Sequence, residues 1–517
     1  MRLVDLVTCS RSVSETSARL EKIDRLAGLL RRLSPDEIEI AVAFLSGSPR
    51  QGRIGVAGAS LAAARDAPPA QMSSLELADV DRSFERVATA AGAGSASAKA
   101  QILRELLGRA TRDEQDFLVR LIFGELRQGA LEGILVEAVA RASAISASRI
   151  RRAAMLAGDL APVARTALEG GKERSTEQAD EALSRFMIQL FQPVQPMLAD
   201  SAADVGAALA ELGEASLEYK LDGARIQVHK AGDEVRVFSR NLRDMTAAVP
   251  EVVEIVAAMP AREIILDGEA IALRADGTPH PFQTTMRRFG RKLDVETMRR
   301  ELPISASFFD ILFLDGEPLV DEPLSRRASA MSGIVPAGSL VPRIITAQPD
   351  EAAAFLARSI DTGHEGVMAK AIDGTYAAGR RGQAWLKVKR ARTLDLVVLA
   401  AEWGHGRRSG TLSNLHLGAR DPDRGGFVML GKTFKGMTDE MLAWQTRKLL
   451  ELEIARDAYT VHVRPELVVE IAFNDIQVSP QYPGGVALRF ARVKRYRTDK
   501  AASGADTIAT VRSFLPS

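Results

Sequence analysis

The chain of 517 residues contains a single cysteine, Cys9. One thiol cannot close a disulfide within the chain or supply a four-cysteine zinc site, so both frameworks are excluded. Cys9 is expected to be a buried or neutral surface residue, not a nucleophile. Long apolar runs are lacking as well. Met1-Arg2 opens into Leu3-Val4-Asp5-Leu6-Val7 and then turns polar, so no signal-peptide core is expected. No run approaches the length of a membrane span, and a cytoplasmic protein is expected. Net charge is the third deficit: 68 Lys+Arg against 67 Asp+Glu leave a formal +1. That balance argues neither for nor against nucleic acid, because a protein so composed must gather its cations locally. Local clusters do occur, at Arg287-Arg288 with Arg291-Lys292, at Arg380-Arg381, over Lys387 to Arg392 and over Lys494 to Arg497. Any one of them taken singly is more often a solvated face than a binding site.

What is present is ordinary for soluble globular protein, with 46% hydrophobic and 26% charged residues. The length is too great for one core and predicts three or four domains. Residues 1 to 190 read as helix throughout. Leu20, Ile23, Leu26, Leu30 and Leu33 keep a helical stripe, and Phe117, Leu121, Ile122 and Leu126 form another. Ser34-Pro35-Asp36-Glu37 is a capping-box pattern with proline in the first turn. Ala88 to Ala98 is rich in Ala, Gly and Ser and reads as a loop. Pro193 and Pro196 break the helical pattern. Strands are then predicted at 217–221, 226–229, 235–239, 264–273, 307–314, 366–371 and 385–389, with helices near 250–259 and 350–359. A further β-rich block starts at Leu394 and runs through Phe427-Leu430 and Leu467-Ile471, as in a small barrel.

The most informative segment is Glu218-Tyr219-Lys220-Leu221-Asp222-Gly223-Ala224-Arg225. A lysine in strand-like surroundings is followed at once by an Asp-Gly turn and an arginine. That setting suits an amine that must lose its proton and attack. Lysine is a poor nucleophile at neutral pH until neighbouring cations, desolvation or a metal activate it. The charge of Arg225, across the turn, favours the neutral amine and suits a phosphate. Alone this element is weak. It is followed in order by Leu266-Asp267-Gly268-Glu269, Phe308-Phe309-Asp310, Glu365-Gly366-Val367-Met368-Ala369-Lys370, Trp385-Leu386-Lys387-Val388-Lys389 and Arg497-Thr498-Asp499-Lys500. Alternation puts Phe308 and Phe309 on opposite strand faces, one for a core and one for a pocket. It also puts Lys387 and Lys389 on one face, which is costly unless they meet anions, with an α-phosphate as natural partner. Glu269 and Glu365 are strand-end carboxylates of the kind that hold Mg²⁺ beside phosphates.

This ordered set resembles the nucleotidyltransferase motifs of ATP-dependent DNA ligases, in the three-domain form found in archaea, eukaryotes and some bacteria. The resemblance covers nearly the whole chain. It implies a multidomain fold: an all-α DNA-binding domain over 1–192, an α/β nucleotidyltransferase (adenylation) domain over 193–392 and an all-β OB-fold domain over 393–517. It implies sealing of 5′-phosphate/3′-hydroxyl nicks in double-stranded DNA, with ATP and Mg²⁺ (or Mn²⁺), by a monomer. Lys220 would form lysyl-AMP. Glu218 would meet the exocyclic amine of adenine, Phe309 would stack on the base, and Glu269 would meet the ribose. Arg240 would serve ribose and later a nick phosphate, with Arg225, Arg381, Lys387 and Lys389 completing the ATP pocket. Glu365, with Glu269, would hold the metal. Arg497, Asp499 and Lys500 would orient pyrophosphate, and Thr393-Leu394-Asp395 would be the hinge. Arg53-Ile54-Gly55 and Arg127-Gln128-Gly129 resemble the family's phosphate seats on DNA. NAD⁺ is disfavoured, because NAD-dependent ligases carry a four-cysteine finger. An RNA ligase, a capping guanylyltransferase or an inert DNA-binding scaffold are the alternatives. The helical region ahead of Lys220 weighs against the first two, and the intact motifs against the third.

Overall fold

The computed structural model describes the chain except for residues 53, 57–66, 93, 125, 127–130, 174–175, 290–294, 378–380, 390–391 and 516–517. Its contacts fall into two compact units, residues 1–388 and 389–517.

The first unit begins with helices running from Leu3–Glu15 to Thr176–Leu183. Local sequence fixes their ends. Proline occupies the first position of Pro35–Leu45, and Glu37 reaches back to the Ser34 N–H at 3.0 Å, closing the expected capping box. Thr111 and Glu114 do the same for Arg112–Phe123, which stops at Gly124 with φ 68°. Ile23, Leu26, Leu30 and Leu33 enter the core as the stripe requires. Leu20 does not: it is 66% exposed in the first turn of Arg19–Leu30, ahead of where that face meets its neighbours. The loop predicted over Ala88 to Ala98 is shorter than expected. Helices Leu77–Thr89 and Ser95–Gly108 claim its ends, since alanine favours helix and left-handed Gly92 and Gly94 suffice for the turn.

Ten strands follow. They are β1 (Leu198–Ser201), β2 (Ala215–Lys220), β3 (Ala224–Ala231), β4 (Glu234–Ser239) and β5 (Glu263–Ala272). Then come β6 (Ile304–Leu314), β7 (Glu317–Pro318), β8 (Arg343–Thr346), β9 (Gly366–Ala371) and β10 (Arg381–Lys389). They make two sheets, ordered β1-β10-β9-β2-β8 and β4-β3-β5-β6-β7. The turn from Lys220 to Ala224 is therefore a crossing from one sheet to the other. Alternation holds on β6, where Phe308 is fully buried and Phe309 only partly. On β10, Leu386 and Val388 are buried against helices Val205–Leu212 and Pro349–Asp361. These helices cover the apolar face of the first sheet; the one at 205–212 was not apparent in the sequence.

The connection from the helices into β3 is stapled by side chains. Gln227 bonds both backbone groups of Val194, at 2.7 and 3.1 Å. His229 Nδ1 accepts the N–H of Phe191 at 2.9 Å, so its proton sits on Nε2 and points to Gln227 Oε1. Burial pushes His229 down to about 3, which keeps it neutral. Deeper in, Arg327 and Asp310 form a wholly buried bidentate pair at 2.7 and 3.0 Å, and Arg327 also donates to the Gly374 carbonyl.

The second unit contains β11 (Arg392–Trp403), β12 (Leu412–Arg420), β13 (Phe427–Thr433), β14 (Glu453–Arg456), β15 (Thr460–Val463), β16 (Val468–Phe473), β17 (Asp475–Val478), β18 (Val486–Arg489) and β19 (Arg492–Tyr496). Seven of them form one antiparallel sheet centred on β11, and β17 pairs with β18. A helix, Asp439–Glu451, capped by Thr438, interrupts what the sequence presented as continuous β structure. Thr393, Leu394 and Asp395 pair with Ala472, Ile471 and Glu470 of β16. They lie near the start of a hydrogen-bonded strand, at the second to fourth residues of β11. No helix among the described residues is long and apolar enough to cross a membrane.

Replacing Arg327 by Met strands the Asp310 carboxylate in the core. It is expected to cost about 3–5 kcal/mol, read as a lowered calorimetric transition. The double variant Asp310→Leu/Arg327→Met is expected to recover most of that loss.

Candidate active site

The two sheets of the first unit enclose a cavity of about 680 Å³, within the range of ordinary ligand pockets. Lys220 stands in its wall as the last residue of β2. Its ammonium meets the Glu365 carboxylate, and the Glu365 N–H bonds the Lys220 carbonyl at 3.0 Å. Attack requires a neutral amine, so this carboxylate must be drawn away or neutralised before Lys220 can react. Gly223 makes the crossing possible: a Cβ there would lie 2.4 Å from the Ala270 carbonyl oxygen and 2.9 Å from Glu269 Cγ. The Gly223 N–H in turn binds Glu269 Oε1 at 3.1 Å. Burial pushes the Glu269 carboxyl up to about 7, against the opposing pull of Lys220, Arg225 and the Gly223 N–H.

Arg225 also lines the cavity, but its fork is taken up by the fold. Nε and Nη2 grip Asp267 at 3.0 and 2.7 Å, and Nη1 donates to the Met197 carbonyl at 2.6 Å. The Tyr376 hydroxyl donates to the same carboxylate at 2.7 Å and accepts from the Met197 N–H at 3.0 Å. In this structure the charge of Arg225 is balanced by Asp267, and its fork braces the wall of the cavity it lines.

One wall of the cavity is aromatic. Phe309 and Trp385 meet edge to face, 6.1 Å between centroids. Beside them the buried Glu218 carboxylate pairs with Lys370 at 2.6 Å. Burial pushes Glu218 upward and Lys370 holds it down. Lys370 and Trp385 are residues whose roles the sequence did not disclose, although both stand in segments singled out there.

Arg240 is exposed and lines the mouth. Lys387 lines the cavity and donates to the Ala199 carbonyl at 3.1 Å. Lys389, half-buried at the end of β10, is not among the described lining residues, and the side chain of Arg381 lies outside the described part. Arg53 and Arg127-Gln128-Gly129 also lie outside the described residues. No group of three or more His, Cys, Asp or Glu side chains gathers among the described residues. Glu269 and Glu365, hard oxygen donors that both interact with Lys220, nevertheless fit an ion such as Mg²⁺. Such an ion takes one or two carboxylates and completes its shell with phosphate oxygens and water.

Arg497, Asp499 and Lys500 belong to the second unit, where they form a cluster of their own. Arg497 bonds Asp395 at 2.8 Å and forks onto Asp499, and Lys500 reaches Asp395 at 2.7 Å. The Arg497 guanidinium holds the Asp499 carboxyl well below the usual range.

Comparisons with known proteins agree along the chain. Residues 196–389 match the ATP dependent DNA ligase domain, residues 408–500 the ATP dependent DNA ligase C terminal region, and residues 55–140 the DNA ligase N terminus. A probable DNA ligase of Anaeromyxobacter sp. (strain Fw109-5) is 59% identical over 99% of this chain and 98% of its own. One of Sorangium cellulosum (strain So ce56) is 57% identical over 99% and 95%. Among solved structures, Pmar-Lig_Pre shares the fold, with TM-score 0.60 and 18% identity over 95% of this chain and 99% of that one. Identity of this extent, spanning helices, paired sheets and C-terminal β region alike, places the chain in the ATP-dependent DNA ligase family.

Proposed function

We propose that this ligase seals nicks with 5′-phosphate and 3′-hydroxyl ends in duplex DNA, acting as a monomer through Lys220. The observation that carries the reading is the position of Lys220: its ammonium pairs with Glu365, and it lines one cavity together with Glu269, Phe309 and Trp385. In the first step the neutral Lys220 amine attacks the α-phosphate of ATP. An Nζ–P bond forms, the bond to the β-phosphate breaks, and pyrophosphate leaves. In the second, a 5′-phosphate oxygen of the nick takes the adenylyl group and frees Lys220. In the third, the 3′-hydroxyl attacks that 5′-phosphate and AMP departs.

The adenine ring stacks on Phe309, with its exocyclic amine at Glu218 and the ribose at Glu269 and Arg240. Lys387 serves the α-phosphate, with Lys389 and Arg381 completing that strand's contribution and Arg225 bracing the wall. Glu365 and Glu269 would hold Mg²⁺ or Mn²⁺, which would screen phosphate charge and favour the attack of the amine. Arg497, Asp499 and Lys500 orient and stabilise the departing pyrophosphate. By function the chain divides into a DNA-binding region (1–192), an adenylation region (193–392) and an OB-fold (393–517). Antiparallel strands with a helix between two of them support the last assignment.

Incubation with α-labelled ATP and magnesium, followed by a denaturing gel and a chase with nicked duplex, tests the reading. Label is expected on the protein from ATP and not from GTP, and it passes to the DNA 5′ end. Labelling by GTP would indicate a capping chemistry instead. Lys220→Ala and Lys220→Arg are both expected to abolish labelling with the melting curve unchanged, since guanidinium does not deprotonate in proteins. Arg497→Ala or Lys500→Ala is expected to suppress enzyme-AMP formation strongly. These variants still seal a nick that already carries 5′-AMP, because that step releases no pyrophosphate. Equal loss of both activities would assign the cluster to folding or DNA contact.

A further inference from the structure

The aromatic wall of the cavity holds a cation that the three chemical steps do not use. Lys370, on β9, is 1% exposed. Its ammonium lies 2.6 Å from Glu218 Oε2 and 3.0 Å from the Phe309 carbonyl oxygen. It also lies 4.3 Å from the Trp385 ring centroid and 4.7 Å from that of Phe309. Two of its three donors are thus spent on oxygens, and its remaining side faces π clouds. As packing alone this pair is an expensive choice, because apolar residues of similar volume usually stabilise a core at least as well.

Its consequence falls on Glu218. With Oε2 fixed by Lys370, Oε1 has Ser216 Oγ at 3.5 Å, at the outer limit of hydrogen bonding, and so keeps capacity to accept. A carboxylate only accepts, whereas a carboxylic acid also donates. Adenine offers an amine at C6 and guanine a carbonyl. An ionised Glu218 therefore accepts from the first and repels the second. Burial drives Glu218 towards the neutral acid with Asp310 adding to that push, and Lys370 is the largest opposing influence, ahead of Arg343.

We infer that Lys370 is the positioning residue that sets base choice: by fixing and charging Glu218, it makes the pocket accept a 6-aminopurine nucleotide and refuse a 6-oxopurine. The inference rests on the proposed contact between Glu218 and the exocyclic amine.

The test uses the full-length protein and compares the specificity of nucleotide attachment for ATP, purine riboside triphosphate (which lacks a C6 substituent) and GTP. The variants are Lys370→Met and Glu218→Gln. The wild type favours ATP over both other nucleotides. Lys370→Met is expected to shrink each preference roughly tenfold or more, the scale of one charge-assisted hydrogen bond. In Glu218→Gln, Lys370 takes the amide oxygen and turns the NH₂ towards the base, so the preference is expected to move towards GTP. A purely structural Lys370 would lower all three rates by a common factor and leave the ratios intact, which overturns the inference. Loss of ATP preference in Glu218→Gln without any loss in Lys370→Met also overturns it, while sparing the Glu218 contact. Unchanged preference in Glu218→Gln overturns the contact itself. If Lys370→Met does not fold, Glu218→Gln still decides: a shift towards GTP requires a cation to orient the amide, and loss of all preference without that shift counts against Lys370.

Discussion

The first unit depends on one buried interaction, the fork of Arg225 on Asp267. Arg225 comes from β3 and Asp267 from its neighbour β5, so the pair begins inside a single sheet. Its remaining partners lie elsewhere. Met197 precedes β1, and Tyr376 follows β9, both strands of the other sheet. Four groups thus share two opposite charges and one hydroxyl. Removing such a pair from water is expensive, and the cost is offset only when every donor and acceptor is met. Here the carboxylate receives three donors, and the guanidinium spends its other side on a carbonyl. The sheets are held at a fixed separation, and that separation is the cavity.

Lys220 inherits its position from this arrangement. It stands at the end of β2, and the chain crosses to the second sheet within three residues. The crossing is tight enough to admit only glycine at position 223. Lys220, the carboxylate of Glu269 and the brace of Arg225 are consequently parts of one corner. Rigid placement of reacting groups converts binding into rate.

Much of this was legible in the sequence because it is written in local patterns. Capping at Ser34, alternation at Phe308-Phe309 and the apolar face of Leu386 and Val388 each depend on a few adjacent residues, and each appears in the structure as read. What was not legible depends on residues distant in the chain. Arg225 reads as a free cation until Asp267, 42 residues away, is seen to hold it. Leu20 belongs to its stripe by period, but no neighbour covers it. The pairing of Thr393-Leu394-Asp395 is hidden in the sequence because β16, which pairs with it, comes much later in the chain. The helix at Asp439–Glu451 carries good helix formers, yet the apolar strands on either side masked it.

The aromatic wall of the cavity has an optical consequence. The chain has three tryptophans: Trp385 in the first unit, Trp403 and Trp444 in the second. Trp385 is only 4% exposed and has the ammonium of Lys370 4.3 Å from its ring centroid. A charge so near an indole shifts and quenches its emission, and anything that enters beside Phe309 alters that field. Trp385 is thus an intrinsic fluorophore in the wall of the cavity. With Trp403 and Trp444 replaced by phenylalanine, occupancy of the site becomes visible in real time without any label.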